Sequence, residues 1–390
     1  MLALTSIINV DTTAGPDQFF SWQFVKIVAS NVAPGVGPGL VALVAGLGLT
    51  ALAIVVSRRV GFVAHPGRDR DIHTRPIPFG GGLAMFGAFA LATLLYHRSD
   101  VTVSIPGLLI LSGVTALVFT IDDRWGINAF VKLAIQAVIA VAAVLLFGFQ
   151  IQFVLLGPLQ VHDLGLLVLP VTVFWILGMQ NTVNLLDGVD GLAAGVVAVT
   201  AIVLLVAAAG RQPEIVILAA ALAGACIGYL VFNFNPARIF MGDSGAYWLG
   251  LAVALLSVAG VAKVAIAASV AVPLLAMGIP IADAALAILR RRLSGQKAFH
   301  ADAKHIHHLL LQAGLTPRQT CILFYCASGI LGAVGLTVFG HRKILAVVIV
   351  LMVVVLSTVL GERLRSARAR IPVPFGEFLH ELLVGRQTAH

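Results

Sequence analysis

Eleven apolar runs, each separated by a short polar stretch, set the rhythm of this chain. They fall at about 38–57, 80–96, 103–121, 129–149, 166–180, 192–209, 214–232, 246–262, 265–289, 319–338 and 343–360. A membrane helix needs about 20 apolar residues to cross the hydrocarbon core. Lipid cannot satisfy backbone polar groups, so such runs must be helical or form a closed barrel. The alternating pattern of a transmembrane barrel is absent from the sequence. The pattern therefore predicts an all-α, polytopic membrane bundle of about eleven transmembrane helices. Residues 38–360 form one membrane domain. Residues 1–37, with Pro34 and Pro38 close to the first run, are expected to be a loose extramembrane leader, and 361–390 a basic tail. No basic segment precedes the first apolar residues, so no cleaved signal peptide is expected.

Composition agrees with this pattern. The chain is 59% hydrophobic and 11% charged, with a mean hydropathy of +1.02; a soluble domain is about 45–50% apolar and about 25% charged. The net charge of +8 would suggest nucleic acid in a soluble domain. Here cytoplasmic loops explain it, because they collect Lys and Arg, and no nucleic-acid partner is expected. Only six of the 25 basic residues (Lys26, Arg98, Arg211, Lys263, Arg342 and Lys343) fall at the N-terminus and the even-numbered gaps. That bias places the N-terminus outside and the C-terminus in the cytoplasm. Cys226, Cys321 and Cys326 lie in apolar segments without metal-type spacing and are expected to be inert.

With this orientation the cytoplasmic loops are 58–79, 122–128, 181–191, 233–245 and 290–318, and every notable polar cluster falls on that one face. Asp122 and Asp123 end the third run, where the negative end of a helix dipole disfavours carboxylates unless a cation compensates. They form either a solvated end with Arg124 or a site, and only one of two adjacent residues need face it. Asn181, Asn184 and Asp187 recur every three residues and would stack on one helix face. Such a stripe should face a cleft rather than lipid. Gly188 and Gly191 then break the helix and leave Asp190 in a turn. "NFNPARIFMGDSG" (233–245) adds Asp243, with the flat ring of Phe240 near it. Carboxylates and carboxamides without Cys or Glu suit Mg²⁺ or Mn²⁺ rather than zinc. Lys132 either snorkels to the interface or joins Arg75 and Lys304 in a phosphate site. His305, His307 and His308 lack the spacing of a helical zinc site and form either a basic loop or hydrogen bonds to a nucleotide-linked donor. Asp283 is expected to support a kinked helix end or to pair with Arg290–Arg292.

These five loops, in this order, resemble the polyprenyl-phosphate N-acetylhexosamine-1-phosphate transferases across about residues 40–360. "HADAKHIHHLLLQAGL" resembles the N-acetylglucosamine-type branch, not the phospho-MurNAc-pentapeptide translocase. The resemblance implies transfer of GlcNAc-1-phosphate from a UDP-N-acetylhexosamine to a polyprenyl phosphate, with release of UMP. That is the first step of glycan assembly at the cell envelope, at the cytoplasmic face of a bacterial plasma membrane. Asp122 or Asp123 would then be base or nucleophile. Asp187 would be a catalytic carboxylate near the metal, and Asp243 the main Mg²⁺ ligand. Phe240 would stack on the uracil, with Asn233 and Asp190 near the nucleoside. Lys132 would sit by the phosphates, and Lys304, His305, His307 and His308 would contact the donor. Asn181, Asn184, His73 and Arg75 complete the expected substrate contacts. Lys304 departs from the Arg that many members carry, and Lys cannot grip a phosphate with a two-pronged fork. The same chemistry on UDP-MurNAc-pentapeptide or a modified UDP-sugar is the nearest alternative. A secondary transporter would instead spread its acids along a mid-membrane path. Oligomeric state stays open, a homodimer included.

Overall fold

The computed structural model describes residues 22–64, 76–97, 103–155, 161–261, 273–293, 305–337, 345 and 347–355. His73, Arg75 and Lys304 lie outside the described residues, as do 265–272 of the ninth predicted run and 343, 344, 346 and 356–360 of the eleventh. The first helix, α1, runs Trp22–Arg59 straight through Pro34 and Pro38. This corrects the expected leader: residues 22–37 are helical. Gly35 lies against Val216 and Ala220, and Gly37 against the Tyr96 ring. Neighbouring helices thus supply the packing that lets a membrane helix tolerate proline.

Among the described residues the further helices include α2 (Gly81–Tyr96), α3 (Ile105–Trp125), α4 (Ala129–Leu145), α5 (Val168–Leu186), α6 (Leu192–Ala208), α7 (Pro213–Asn233), α8 (Gly242–Val261), α9 (Gly278–Leu293), α10 (Ile306–Gln312) and α11 (Pro317–Leu336). Local chemistry marks their starts. Ser104 caps α3 by accepting from Gly107 N at 3.2 Å, with Pro106 in its first turn. Asn128 caps α4 by accepting from Phe130 N at 2.9 Å. Thr316 and Gln319 form a reciprocal capping box on α11. Two antiparallel strand pairs accompany the helices: β1 (Val63–Ala64) with β2 (Ile77–Pro78), and β3 (Phe153–Leu155) with β4 (Val161–Asp163). Val63 faces Pro78 and Phe153 faces Asp163 in their registers.

The protein is a polytopic membrane helical bundle. Six of the described helices are long and apolar enough to cross a membrane; α2, α4 and α6 are shorter and apolar. In the apolar windows of α7 and α8, 78% and 83% of residues are buried, against 17% in α1. So α7 and α8 form the centre and α1 lies on the periphery. Without a hydrophobic drive between helices in lipid, close contact comes from small residues. On α7, a Cβ at Gly224 would collide with Gly39 O, and one at Gly228 would meet Leu43 O at 2.6 Å. The same central helices carry polar residues at their ends, and there the site forms.

Candidate active site

Four helix ends meet around Asp243. It occupies the first turn of α8, just after Gly242, whose φ is +70°. A Cβ at Gly242 would clash with the Asp123 carboxylate, so the left-handed backbone and the close approach both call for glycine. The preceding loop is pinned to the first polar stretch: Phe240 N donates to Pro78 O (2.9 Å), Gly81 N to Phe240 O (3.1 Å) and Gly82 N to Met241 O (3.2 Å). "PFGGG" (78–82) is thus a mould for the turn that presents Asp243. The Phe240 ring sits 6.1 Å from that of Phe79.

Asp122 and Asp123 both face this centre, although only one of two adjacent residues need do so. Asp123 accepts from Asp243 N (2.6 Å) and Ser244 N (3.3 Å), so the acid at the end of α3 caps the start of α8. A carboxylate is stabilised there because unpaired amides and the positive dipole end converge. Asp122, buried at 5% exposure, accepts from Ile127 N at 2.5 Å. Its Oδ2 lies 2.6 Å from Lys132 Nζ, and the same ammonium lies 2.6 Å from Asp243 Oδ2. Lys132 therefore points into the site rather than snorkelling. The cation that two carboxylates at a helix C-terminus require comes from α4.

The stripe on α5 faces the same point. Asn184 donates to Asp243 Oδ1 at 3.0 Å and accepts from the Tyr247 hydroxyl at 3.3 Å. Asn181, one turn back, donates to Gln136 Oε1 at 2.7 Å and to Leu177 O at 2.8 Å. Asp187 caps the end of α5. The surrounding protein, then the charges of Asp243, Asp123 and Asp190, push its pKa up to about 8. The residue is nevertheless accessible to solvent, so water moderates that shift.

Asp190 and Asn233 build the turn that follows Asp187. Asn233, 3% exposed, accepts from Gly191 N (2.8 Å) and donates to Ile239 O (2.9 Å). Its amide is used on the backbone, so it supports the loop rather than offering a surface to a nucleoside. Asp190 Oδ2 accepts from Asn235 Nδ2 and Ala237 N, both at 3.0 Å. The histidines pack behind. His307, 1% exposed, has its ring 5.7 Å from that of His305 and 4.3 Å from that of His308. Burial, then His308 and His305, hold its pKa down at about 3. Asp283 contacts His305 Nδ1 at 3.1 Å and Ile306 N at 3.0 Å. Asp283 was expected to support a kinked helix end or to pair with Arg290–Arg292, whose side chains lie outside the described residues; no short-range pattern announces its contact with His305 across 22 residues. Gln136 and Tyr247 also escaped the sequence reading, as polar residues inside apolar helices without a motif.

Among the described residues, no three His, Cys, Asp or Glu side chains form a ready-made metal cage. Mg²⁺ does not need one, since it commonly takes one or two carboxylates, waters and substrate phosphates. The hard oxygens of Asp243 and Asp187, in a site where carboxylates outnumber the ammonium of Lys132, fit that mode.

Known proteins are similar to this chain. The model of the family described as glycosyl transferase family 4 matches residues 105–261, which hold Asp122, Asp123, Lys132, Asp187 and Asp243. The probable undecaprenyl-phosphate N-acetylglucosaminyl 1-phosphate transferase of Bacillus subtilis is 31% identical, over 88% of this chain and 96% of its own length. The decaprenyl-phosphate N-acetylglucosaminephosphotransferase of Mycobacterium tuberculosis is 35% identical, over 85% of this chain and 94% of its own. The undecaprenyl-phosphate alpha-N-acetylglucosaminyl 1-phosphate transferase of Salmonella typhi is 30% identical, over 73% and 79%.

Proposed function

This chain belongs to glycosyl transferase family 4, and from that premise we propose how its site works. The enzyme transfers N-acetylglucosamine-1-phosphate to a polyprenyl phosphate, as the names of its relatives state for them. The donor is UDP-N-acetylglucosamine and the leaving group UMP. The oxygen of the lipid phosphate attacks the sugar-linked phosphorus, the bond to the UMP oxygen breaks, and a polyprenyl-diphospho-sugar forms. The observation that carries this reading is the convergence of Asp122, Asp123, Lys132, Asn184 and Asp243 from four helix ends. Phosphoryl transfer depends largely on positioning and charge neutralisation, and this frame is built for both.

Asp243, with Asp187, would hold Mg²⁺ or Mn²⁺. When bound, the ion supplies positive charge at the donor diphosphate. Lys132 adds a fixed cation beside it and holds Asp122 and Asp243 at a set spacing. Asn184 orients Asp243 from the other side. Asp122 is enclosed and both oxygens of Asp123 are engaged by amides. Neither is placed to carry a covalent phosphoryl group, which favours direct attack by the lipid phosphate. For the lipid chain, an apolar cavity of about 490 Å³ opens between α3 and α4, lined by Val114, Phe130, Ala134, Val138 and Ile139 among others. It begins two residues from Lys132. The charge bias of the loops supports a site on the cytoplasmic face, the bacterial relatives support a bacterial plasma membrane, and the eleven apolar runs support about eleven spans.

The test uses detergent-purified protein, polyprenyl phosphate and a set of UDP-sugars, scoring UMP release with and without Mg²⁺. Mg²⁺-dependent UMP release with UDP-N-acetylglucosamine is expected, together with its loss in Asp243→Ala. Normal Mg²⁺-dependent turnover by Asp243→Ala would overturn the metal assignment. Capture of a radiolabelled aspartyl-phosphate would overturn direct attack.

A further inference from the structure

One turn deeper than the charged groups of the site, the same four helices bring a second set of side chains together. Phe119 lies one turn below Asp123 on α3, Gln136 below Lys132 on α4, Asn181 below Asn184 on α5, and Tyr247 below Asp243 on α8. Residues three or four apart share a helix face, so faces that converge at the site converge again beneath it. Gln136 and Tyr247 are enclosed, at 1% and 5% exposure, and neither belongs to the charged frame. Burying a carboxamide and a phenol among apolar helices is costly unless each is hydrogen-bonded. Here the bonds form one directed chain that ends on Asp243.

The direction is set at Asp243. A carboxylate 2.6 Å from the Lys132 ammonium is ionised and can only accept. The Asn184 NH₂ therefore faces it, at 3.0 Å, and the Asn184 oxygen faces away. That oxygen accepts from the Tyr247 hydroxyl at 3.3 Å. The Gln136 side chain interacts with the same hydroxyl, while its own oxygen accepts from Asn181 Nδ2 at 2.7 Å. With that oxygen held by Asn181, the NH₂ of Gln136 is the group turned to the phenol. A phenol has one proton to give, and with a donor on one side it gives that proton to Asn184. Asn181 ties the chain to the backbone at Leu177 O, 2.8 Å away. Phe119 holds the Tyr247 ring in place, with ring centres 4.3 Å apart.

We propose that Tyr247, directed by Gln136, is a positioning residue for transfer: its hydroxyl holds the Asn184 carboxamide with the NH₂ toward Asp243, and so keeps Asp243 aligned for the divalent ion. The proposal rests on the transferase reading. The opposite orientation of Asn184 would set its oxygen against the carboxylate and leave Oδ1 without a donor. Lys132 would then hold Asp243 by Oδ2 alone. A layer of neutral side chains suits this task at a depth where further charges would be costly. It fixes direction without adding to the charge that the ion and the donor diphosphate meet.

The test uses the full chain in detergent, with Mn²⁺ as the spectroscopic probe of the metal site. Its dissociation constant is read by electron paramagnetic resonance with and without UDP-N-acetylglucosamine, and UMP release is measured with donor and lipid each varied. Asn184→Ala removes the direct partner of Asp243 and should weaken Mn²⁺ binding about tenfold to a hundredfold. Tyr247→Phe keeps the ring and deletes one neutral hydrogen bond, so its loss should be about threefold to tenfold. The Mg²⁺ needed for half-maximal turnover should rise to match, with an unchanged KM for polyprenyl phosphate. Because Tyr247 acts through Asn184, the double variant should lose no more than Asn184→Ala alone. Ser257→Ala, which deletes the hydrogen bond from Trp175 Nε1 (3.0 Å) elsewhere on α8, should keep the wild-type Mn²⁺ constant. The inference is overturned if Tyr247→Phe binds Mn²⁺ as wild type does, if its loss multiplies with that of Asn184→Ala, or if Ser257→Ala weakens the ion equally. Should Tyr247→Phe fail to fold, Gln136→Met decides: Mn²⁺ should weaken about threefold, and a wild-type constant overturns the inference. A wild type that binds Mn²⁺ but transfers no sugar phosphate would instead overturn the transferase reading, so the two failures are distinguishable.

Discussion

Replacing Lys132 by Gln tests the electrostatic frame of the site most directly. The ammonium lies 2.6 Å from Asp122 Oδ2 and 2.6 Å from Asp243 Oδ2. The two oxygens therefore lie no more than about 5 Å apart, and with the ammonium gone two unit charges at that spacing repel by about 3 kcal/mol at an effective dielectric of about 20. Gln can still hydrogen-bond one of them but carries no charge. The site must then take up a proton or let Asp243 swing away from Asn184, and either outcome removes the arrangement that binds the diphosphate. A cost of that size corresponds to a fall of about 100-fold to 1,000-fold in kcat/KM. A second signature separates this from simple damage. Removal of the ammonium leaves the carboxylates of Asp122 and Asp243 without a balancing charge, so it should lower the Mg²⁺ concentration needed for half-maximal activity while the maximum itself falls. The assay is UMP release against Mg²⁺ at saturating donor, with Lys132→Arg as the charge-retaining control. Turnover of Lys132→Gln within threefold of wild type would refute the reasoning, as would a raised Mg²⁺ requirement.

Asn233→Ala strips Gly191 N of its buried partner, while Ile239 O keeps the Tyr229 hydroxyl at 3.3 Å, and the orphaned N–H costs about 1–3 kcal/mol. A clear fall in thermal midpoint is expected, with a raised KM for the UDP-sugar. His307 gives the protein a pH dependence: its pKa is about 3 in the fold against 6.5 when free. Between those values the unfolded chain binds more protons, so stability is retained above about 6.5 and falls as pH drops toward 3; the protection factors of the α10 amides, taken relative to intrinsic exchange at each pH, should fall from pH 7.5 to 5, less so in His307→Gln. Val138→Trp fills the apolar cavity between α3 and α4 and should raise the KM for polyprenyl phosphate several-fold while leaving that for the donor unchanged. Equal lipid KM values in the two proteins would remove the cavity from the lipid's path.

Much of the helix order was legible because each long apolar run between polar breaks has one physical meaning in lipid. The start of α1 was not legible. Pro34 and Pro38 are helix breakers by every local rule, and the groups that accommodate residues 34–38 (Val216, Ala220 and Tyr96) lie in other helices. The polar stripe on α5 was legible because a three-residue spacing has direction on a helix. Its depth was not, since the reach from Asn181 to Gln136 depends on how α4 and α5 lie together. Asp190 and Asn233 were visible as polar residues in turns. That Asn233 spends its amide on two backbone groups follows only from where Gly191 and Ile239 come to rest.

The paired acids give the strongest link between sequence and chemistry, because they break a rule. Two carboxylates at the end of α3 face the negative pole of their own helix, and a structure that only needed a solvated end would avoid them. They are tolerated because two other elements bring opposite charge to the same point: the amides at the start of α8 reach Asp123, and the ammonium of α4 reaches Asp122. Each partner then connects to Asp243, through its own backbone N–H in the first case and its carboxylate in the second. The local cost at α3 is thus what binds three helix ends into one rigid frame. A phosphoryl-transfer site needs such a frame, since its catalysis lies in holding charge in place. The neutral rearrangement that would remove the anomaly, apolar residues at 122 and 123, would free α8 from α3 and leave Asp243 without a fixed direction.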